Sequence, residues 1–409
     1  MTQKKANGGQ TPSPETILTH AGRLTGDHFG FVNTPVFRGS TVLFKTIDDL
    51  DNYDAPFRYG RTGNPTTRAV ETVITELEGA KGTVLAPSGL AAVSTALLSV
   101  VATGDEILVT DSAYEPTRLF CNETLKKLGV TARFYDPRIG ADIAALITDK
   151  TKAIFVESPG SLTFEVQDLP AIVAAAKPAG IAVIVDNSWA TPLYLKPLAL
   201  GADIVIHAGT KMFIGHSDAM FGTASANERL WPQLARTHRL MGICASPDDA
   251  FLAARGLRTL AIRMKEHQDR ALELARWLET QPTVRQVFHP ALEQHPDHAI
   301  WKRDFTGSGS LFSVLLEPAP REAVAAMVNN FELFGMGYSW GGYESLCLPI
   351  HPERIRTAVD WNARGDMFRI HVGFEGIDDL KADLEAGLDR YRAANIWYDP
   401  ATGTSAVPA

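Results

Sequence analysis

The chain has 409 residues, with 39 Lys+Arg against 47 Asp+Glu for a formal net charge of −8, and is 45% hydrophobic and 21% charged. That balance is ordinary for a soluble globular protein, and a mildly acidic chain without a dense basic run lacks the electrostatic footprint of a binder of duplex nucleic acid or of an anionic membrane. A single core usually stops growing before ~300 residues, so two domains are expected.

From the start, Lys4 and Lys5 run into Asn7-Gly8-Gly9-Gln10 and Pro12-Ser13-Pro14 without an apolar segment, which reads as a disordered lead-in and not a secretory signal. Residues 15 to about 63 carry no sustained period. Asn64-Pro65 then opens a helix over Thr67 to Glu78, closed by Gly79. Short apolar runs alternate with helical periods from there. Strands are expected at Thr83–Ala86, Glu106–Thr110, Thr131–Tyr135, Ala153–Val156, Ile181–Val185 and Asp203–His207. Helices are expected at Gly89–Val101, after Tyr114, and at Leu169–Ala176. Repeated units of this kind predict a mainly parallel sheet covered by helices on both faces. After Lys211 the pattern becomes more segregated, with long helices at Glu228–Met241 and Asp248–Leu278, a strand at Gly309–Leu316, a helix at Arg321–Asn329 and a strand at Met367–Val372. The expected division is an arm at 1–63, a ligand-binding domain at 64–256, a smaller α+β domain at 257–394 and a loose tail at 395–409. No run reaches the ~18 apolar residues of a spanning helix. Cys121, Cys244 and Cys347 form neither a disulfide framework nor a metal pattern and read as reduced thiols of a cytoplasmic protein.

Two buried-strand patterns end in polar residues, Val183-Ile184-Val185-Asp186 and Ile204-Val205-Ile206-His207-Ala208-Gly209-Thr210-Lys211. Ligands of open α/β sheets collect beyond the carboxyl ends of the strands, so Asp186 and Lys211 point to that edge. A partly desolvated lysine there loses basicity and becomes nucleophilic, and a neighbouring acid keeps a pyridine nitrogen protonated, which is what pyridoxal phosphate needs. A buried Asp–Lys ion pair fits the same spacing. Ser88 with Gly89 and Leu90 sits between a strand and an apolar helix, a phosphate cradle or an ordinary N-cap turn. Tyr59 and Arg61 offer an anion clamp or a solvated turn. Tyr114 offers a ring for a flat heterocycle or a core aromatic. On Met367–Val372 the alternation turns Arg369 and His371 away from Phe368, Ile370 and Val372, which suits either carboxylate capture or a wet strand face. Tyr338-Ser339-Trp340-Gly341-Gly342-Tyr343-Glu344-Ser345 reads as a pocket-lining loop or a packed turn.

Taken together, these stretches resemble the cystathionine and methionine metabolism family of pyridoxal-phosphate enzymes. The matching runs are Y-G-R-T-G-N-P-T at 59–66, A-Y-E-P at 113–116, E-S-P-G-S at 157–161, V-D-N-S-W-A at 185–190, T-K at 210–211, G-H-S-D at 215–218, R-G-L-R-T-L at 255–260, W-K-R-D-F-T-G at 301–307, Y-S-W-G-G-Y-E-S at 338–345 and R-I-H-V-G at 369–373. The resemblance implies the aspartate-aminotransferase-like α/β fold (fold type I of these enzymes) and a homotetramer built as a dimer of dimers. It implies that Lys211 carries pyridoxal 5′-phosphate as a Schiff base, Asp186 partners the ring nitrogen and Tyr114 stacks on the ring. Ser88, Gly89, Leu90 and Thr210 would hold the phosphate, with Tyr59 and Arg61 supplied by a neighbouring subunit. Arg369, with Tyr338, Ser339 and Trp340, would bind the substrate carboxylate, and Lys211, Tyr114 and Tyr59 would act in catalysis. The 338–345 run is like that of the carbon–sulfur β-lyases, which implies cleavage of L-cystathionine to homocysteine, pyruvate and ammonia in methionine biosynthesis. Two departures stand out. Ala208 replaces a serine found in many members, and Thr117-Arg118-Leu119 offers no acid where the β-lyase branch carries one. A cystine or cysteine-S-conjugate β-lyase is therefore an alternative, as is γ-lyase or sulfhydrylase chemistry. A cofactor-binding regulatory protein with little catalysis is the non-enzyme alternative, against which the intact Asp186, Lys211 and Arg369 argue.

Overall fold

The computed structural model describes residues 12–23, 25–362 and 365–395, and the backbone of 398–399 and 404–405. The lead-in through residue 11 and the tail beyond the last helix, apart from those two short paired strands, lie outside the described residues. Ser13 caps a helix, Pro14–His20, by accepting from the Thr16 amide.

A seven-stranded sheet forms the larger layer: β1 (Gly82–Ala86), β2 (Glu106–Thr110), β3 (Thr131–Tyr135), β4 (Thr151–Glu157), β5 (Ala182–Asp186), β6 (Ile204–His207) and β7 (Gly222–Ala226), in the order β1-β7-β6-β5-β4-β2-β3. All strands run parallel except β7, which lies antiparallel between β1 and β6. Alternation along each strand feeds two cores. Ile107, Val109, Phe155, Ile184 and Ile206 pack on one face against the helix Gly89–Leu98. Leu108, Ile154, Val156, Val183 and Val185 pack on the other against the helix Leu169–Ala176. Being apolar on both faces, these strands need a covered parallel sheet. The helix Pro65–Glu78 has an Asn64 capping box, a proline in its first turn and Gly79 in the left-handed conformation at φ +64°.

β7 was not expected from the sequence. Its Gly-Thr-Ala-Ser-Ala run has no strand-like apolar alternation, but its small side chains fit a fully buried position. A Cβ on Gly222 would lie 2.0 Å from the Ser88 carbonyl oxygen, so glycine lets β7 pass directly beneath the start of the helix Gly89–Leu98.

The smaller sheet is antiparallel: β8 (Val284–Phe288), β9 (Leu311–Leu316), β10 (Leu346–Ile350) and β11 (Asp366–His371), in the order β10-β11-β9-β8. Its core includes the helices Arg321–Val328 and Ile377–Asn395. The long helix expected over 248–278 is two helices, Pro247–Arg258 and Leu260–Glu279, broken where Thr259 turns to φ −109°, ψ 8°. The Gly256 carbonyl there accepts from the Thr259 amide and from Arg263 Nη2. The boundary placed at Gly256 thus falls inside a helix. The change of core occurs along Leu260–Glu279, with Leu260 and Met264 packed toward the first domain's side and Ala271, Leu274 and Leu278 toward the second sheet. Among the described residues no helix is long and apolar enough to cross a membrane.

Candidate active site

Asp186 closes β5, and the chain leaving β6 brings Lys211 to the same edge of the sheet. Lys211 Nζ donates to Ser339 Oγ at 2.9 Å and lies 5.5 Å from the centre of the Trp340 ring. Burial, and then the like charge of Arg369, bring its ammonium down to about 8 against the pull of Asp186. Asp186 Oδ1 accepts from the Ser188 amide at 2.9 Å. Burial raises its carboxyl above the usual range, opposed by the Ser188 hydrogen bonds and by the charges of His207 and Lys211. The two are close enough to influence each other, yet among the described residues they do not form the ion pair that the spacing alone also allowed.

The second sheet supplies the opposite wall. Arg369 on β11 donates through Nη2 to the carbonyl oxygens of Gly337 (3.3 Å), Tyr338 (2.6 Å) and Ser339 (3.2 Å), so the loop carrying Ser339 and Trp340 is bound to the strand carrying the arginine. Burial lowers this guanidinium to about 10. Gly341, at φ +89°, presses on Lys211, since a Cβ there would meet Lys211 Cα at 3.0 Å. His371 does not occupy a wet face. It is fully buried, its Nδ1 bonded to Ser310 Oγ and its Nε2 against the backbone of Gly341 and Gly342, and burial lowers its imidazolium to about 3. The alternation of Met367–Val372 therefore separates two buried faces. Tyr338 itself is largely exposed.

On the sheet side, Ser88 Oγ accepts from the Ala91 amide and caps the helix Gly89–Leu98. The amides of Gly89 and Leu90 are then the first of the helix, without intrahelical acceptors. Gly89 is required here, because a Cβ on it would lie 2.6 Å from Ala208 Cβ. The Thr210 hydroxyl is engaged with Phe221, donating to its carbonyl at 3.0 Å and accepting from its amide at 2.8 Å. Tyr114 begins the helix Glu115–Leu119 and donates its amide to Glu157 Oε2 at 2.8 Å. Burial above all raises its phenol.

Tyr59 and Arg61 stand apart from this cluster. Arg61 lies over the Tyr59 ring and donates to the Arg239 carbonyl, with no described contact to Lys211, Asp186 or Arg369. Arg118 points inward. It donates to the Asp111 carboxylate and backbone at 2.9 Å each and to Thr357 Oγ1 at 2.9 Å, and its side chain is 5% exposed. Of Thr117-Arg118-Leu119, only Leu119 is exposed. Glu157 was singled out only as part of a motif, although its place at a strand end beside Asp186 marked it in the same way as Asp186 itself.

These residues fit pyridoxal phosphate on physical grounds. Gly89 keeps the helix N-terminus open for a phosphate, Lys211 is a lysine of lowered basicity, and Asp186 is a half-buried carboxyl without an ion-pair partner among the described residues. A family model described as Cys/Met metabolism PLP-dependent enzyme matches residues 15–389. A cystathionine beta-lyase of Salmonella typhimurium is 45% identical over 388 residues, covering 92% of this chain and 98% of its own. The cystathionine beta-lyase of Haemophilus influenzae is 44% identical over 386 residues, covering 92% and 98%. Among solved structures, a cystathionine gamma synthase from Xanthomonas oryzae in complex with cystathionine superposes with a TM-score of 0.86 at 32% identity, covering 94% of this chain and 100% of its own. The chain belongs to the Cys/Met metabolism PLP-dependent enzymes, and its cofactor is pyridoxal 5′-phosphate.

Proposed function

We propose that the chain is a carbon–sulfur β-lyase that cleaves L-cystathionine to homocysteine, pyruvate and ammonia, in methionine biosynthesis. The observation that carries this reading is the pairing of Lys211 with Ser339 and of Arg369 with the 337–339 backbone, which joins the proton-transfer group and the carboxylate-binding group in one cleft. The relatives named cystathionine beta-lyase support the choice of substrate.

The geometry supports the following roles. Ser88, Gly89, Leu90 and Thr210 would hold the cofactor phosphate, Asp186 would keep its ring nitrogen protonated and Tyr114 would cover its ring. When bound, the cofactor supplies an electron-withdrawing ring that stabilises negative charge at the substrate α-carbon. Arg369 grips the α-carboxylate with a two-pronged fork, steadied by Ser339 and Trp340. Lys211, as the free amine, takes the α-proton, and Ser339 orients that amine. The electron pair left at the α-carbon forms a Cα–Cβ double bond as the Cβ–S bond breaks, the thiolate leaves as homocysteine with the proton taken by Lys211, and water hydrolyses the remaining enamine to pyruvate and ammonia. Arg369 and Lys211 carry like charges in one cleft, and an anionic carboxylate between them relieves that repulsion.

Self-association as a homotetramer, with Tyr59 and Arg61 completing a neighbour's site, is supported by apolar side chains displayed along the arm. Phe29 is 98%, Leu43 89% and Tyr53 83% exposed, more than a monomer's surface ordinarily leaves bare in one stretch. The three unpaired cysteines support a cytoplasmic setting.

The lowered basicity of Lys211 gives a pH test. Below about 8 the amine is protonated, so the rate at which cofactor-stripped protein takes up pyridoxal phosphate at Lys211 should rise about tenfold per pH unit and level off above that value. A rate that keeps climbing toward the ~10.4 of an ordinary lysine would contradict the lowered basicity of Lys211.

A further inference from the structure

Glu157 is a half-buried acid at the end of β4 with no part in the proton transfer or carboxylate binding assigned to Lys211 and Arg369. It closes β4 as the in-register neighbour of Asp186 on the parallel strand β5, so the two carboxyls leave the sheet edge on the same face. Its Oε2 accepts the Tyr114 amide at 2.8 Å, which fixes the backbone of the residue placed over the cofactor ring. The groups facing Glu157 are Asp186, Tyr114 and Arg356. Those facing Asp186 are Ser188, His207 and Lys211. Neighbouring carboxyls at a partly desolvated sheet edge disfavour each other's ionisation. Ser188 and Lys211 favour the charge on Asp186, and burial with the Asp186 charge pushes the Glu157 carboxyl well above its ordinary range.

We propose that Glu157 is a positioning residue for this reaction, one that holds Tyr114 in place as a hydrogen-bond acceptor while carrying no charge, so that Asp186 alone is the anion serving the ring nitrogen. The inference rests on the lyase reading in taking Asp186 and Tyr114 as partners of the ring. It distinguishes two substitutions of different character. Glu157→Gln keeps an oxygen acceptor at the same reach without charge, whereas Glu157→Ala removes both.

The test uses the cofactor-loaded protein and three readouts: kcat with L-cystathionine, the absorbance of the bound cofactor against pH, and hydrogen–deuterium exchange at the Tyr114 amide. Glu157→Gln should keep kcat within about threefold, with an unchanged absorbance titration and unchanged exchange. Glu157→Ala should lose roughly 10- to 100-fold in kcat and exchange Tyr114 roughly tenfold faster, as the amide loses its one acceptor. If Glu157→Gln falls as far as alanine in kcat, or shifts the absorbance titration, the group works as an anion and the proposal is overturned. Wild-type exchange and turnover in Glu157→Ala would overturn it as well. Should the alanine variant fail to fold, the glutamine variant decides alone. Exchange and absorbance need no substrate, so a failure of the cystathionine reading shows in turnover only and is told apart.

Discussion

Replacing Lys211 by alanine should abolish pyruvate release from L-cystathionine, lowering kcat by at least about 10³-fold, while the chain stays folded. Lys211 is the only amine placed within hydrogen-bond reach of the Ser339 hydroxyl among the described residues, and a positioned acid–base group contributes about 10²–10⁴-fold before any part in holding the cofactor is counted. The fold should tolerate the change. Lys211 makes no described ion pair, and removing a desolvated amine beside Arg369 takes away a repulsion. Circular dichroism and thermal melting check the fold, and steady-state kinetics check the rate. Turnover within tenfold of the parent chain would remove Lys211 from the mechanism.

The second large effect concerns stability. Asp111→Asn should destabilise the protein by about 3–5 kcal/mol, the usual result of deleting one partner from a buried charge network. Asp111 is completely buried. It accepts from Arg118, from the Thr357 amide at 3.0 Å, from the Val359 amide at 3.0 Å and from Thr357 Oγ1 at 3.2 Å. Burial works against its charge, but the Thr357 and Val359 amides and Arg118 outweigh it and hold the carboxyl below its ordinary range. Arg356 lies 4.0 Å away and pairs with Glu165 at 2.8 Å. An isosteric asparagine would leave the buried Arg118 guanidinium without its carboxylate partner, while Arg356 keeps Glu165. Because the 355–359 segment connects β10 to the strand bearing Arg369, its loosening should also raise KM more than it lowers kcat. Denaturant midpoints and kinetics of the folded fraction read both effects. A loss below about 1 kcal/mol, the size of an exposed pair, would show that the network does not hold the two domains together.

The large sheet could be read from sequence because each of its parallel strands is a compact apolar run between turn signals, and Asp186 and Lys211 lie at the ends of two of them. Elements whose packing breaks the pattern could not. β7 is made of small residues chosen for tight passage under Ser88. The helix Ile377–Asn395 interrupts its apolar stripe with Asp383, whose carboxylate accepts the amides of Glu332, Leu333 and Phe334. It also carries Gly387, where a Cβ would meet Phe331 at 2.3 Å. Within the site, residue types and motifs named Ser339, Trp340 and Arg369. Their meeting with Lys211 is a long-range contact between two sheets that no local period encodes. Arg118 is the clearest case of a side chain whose direction the sequence hides. Its motif position points toward the substrate, yet in the fold it turns into a buried ion network, leaving Leu119 as the exposed member of that turn.

Identification of both fragments released from L-cystathionine by the purified, cofactor-loaded protein tests the central claim most directly. Cleavage on the β side predicts pyruvate and homocysteine in equal amounts with ammonia. Formation of 2-oxobutyrate with cysteine would contradict that account and assign the chain to γ-cleavage.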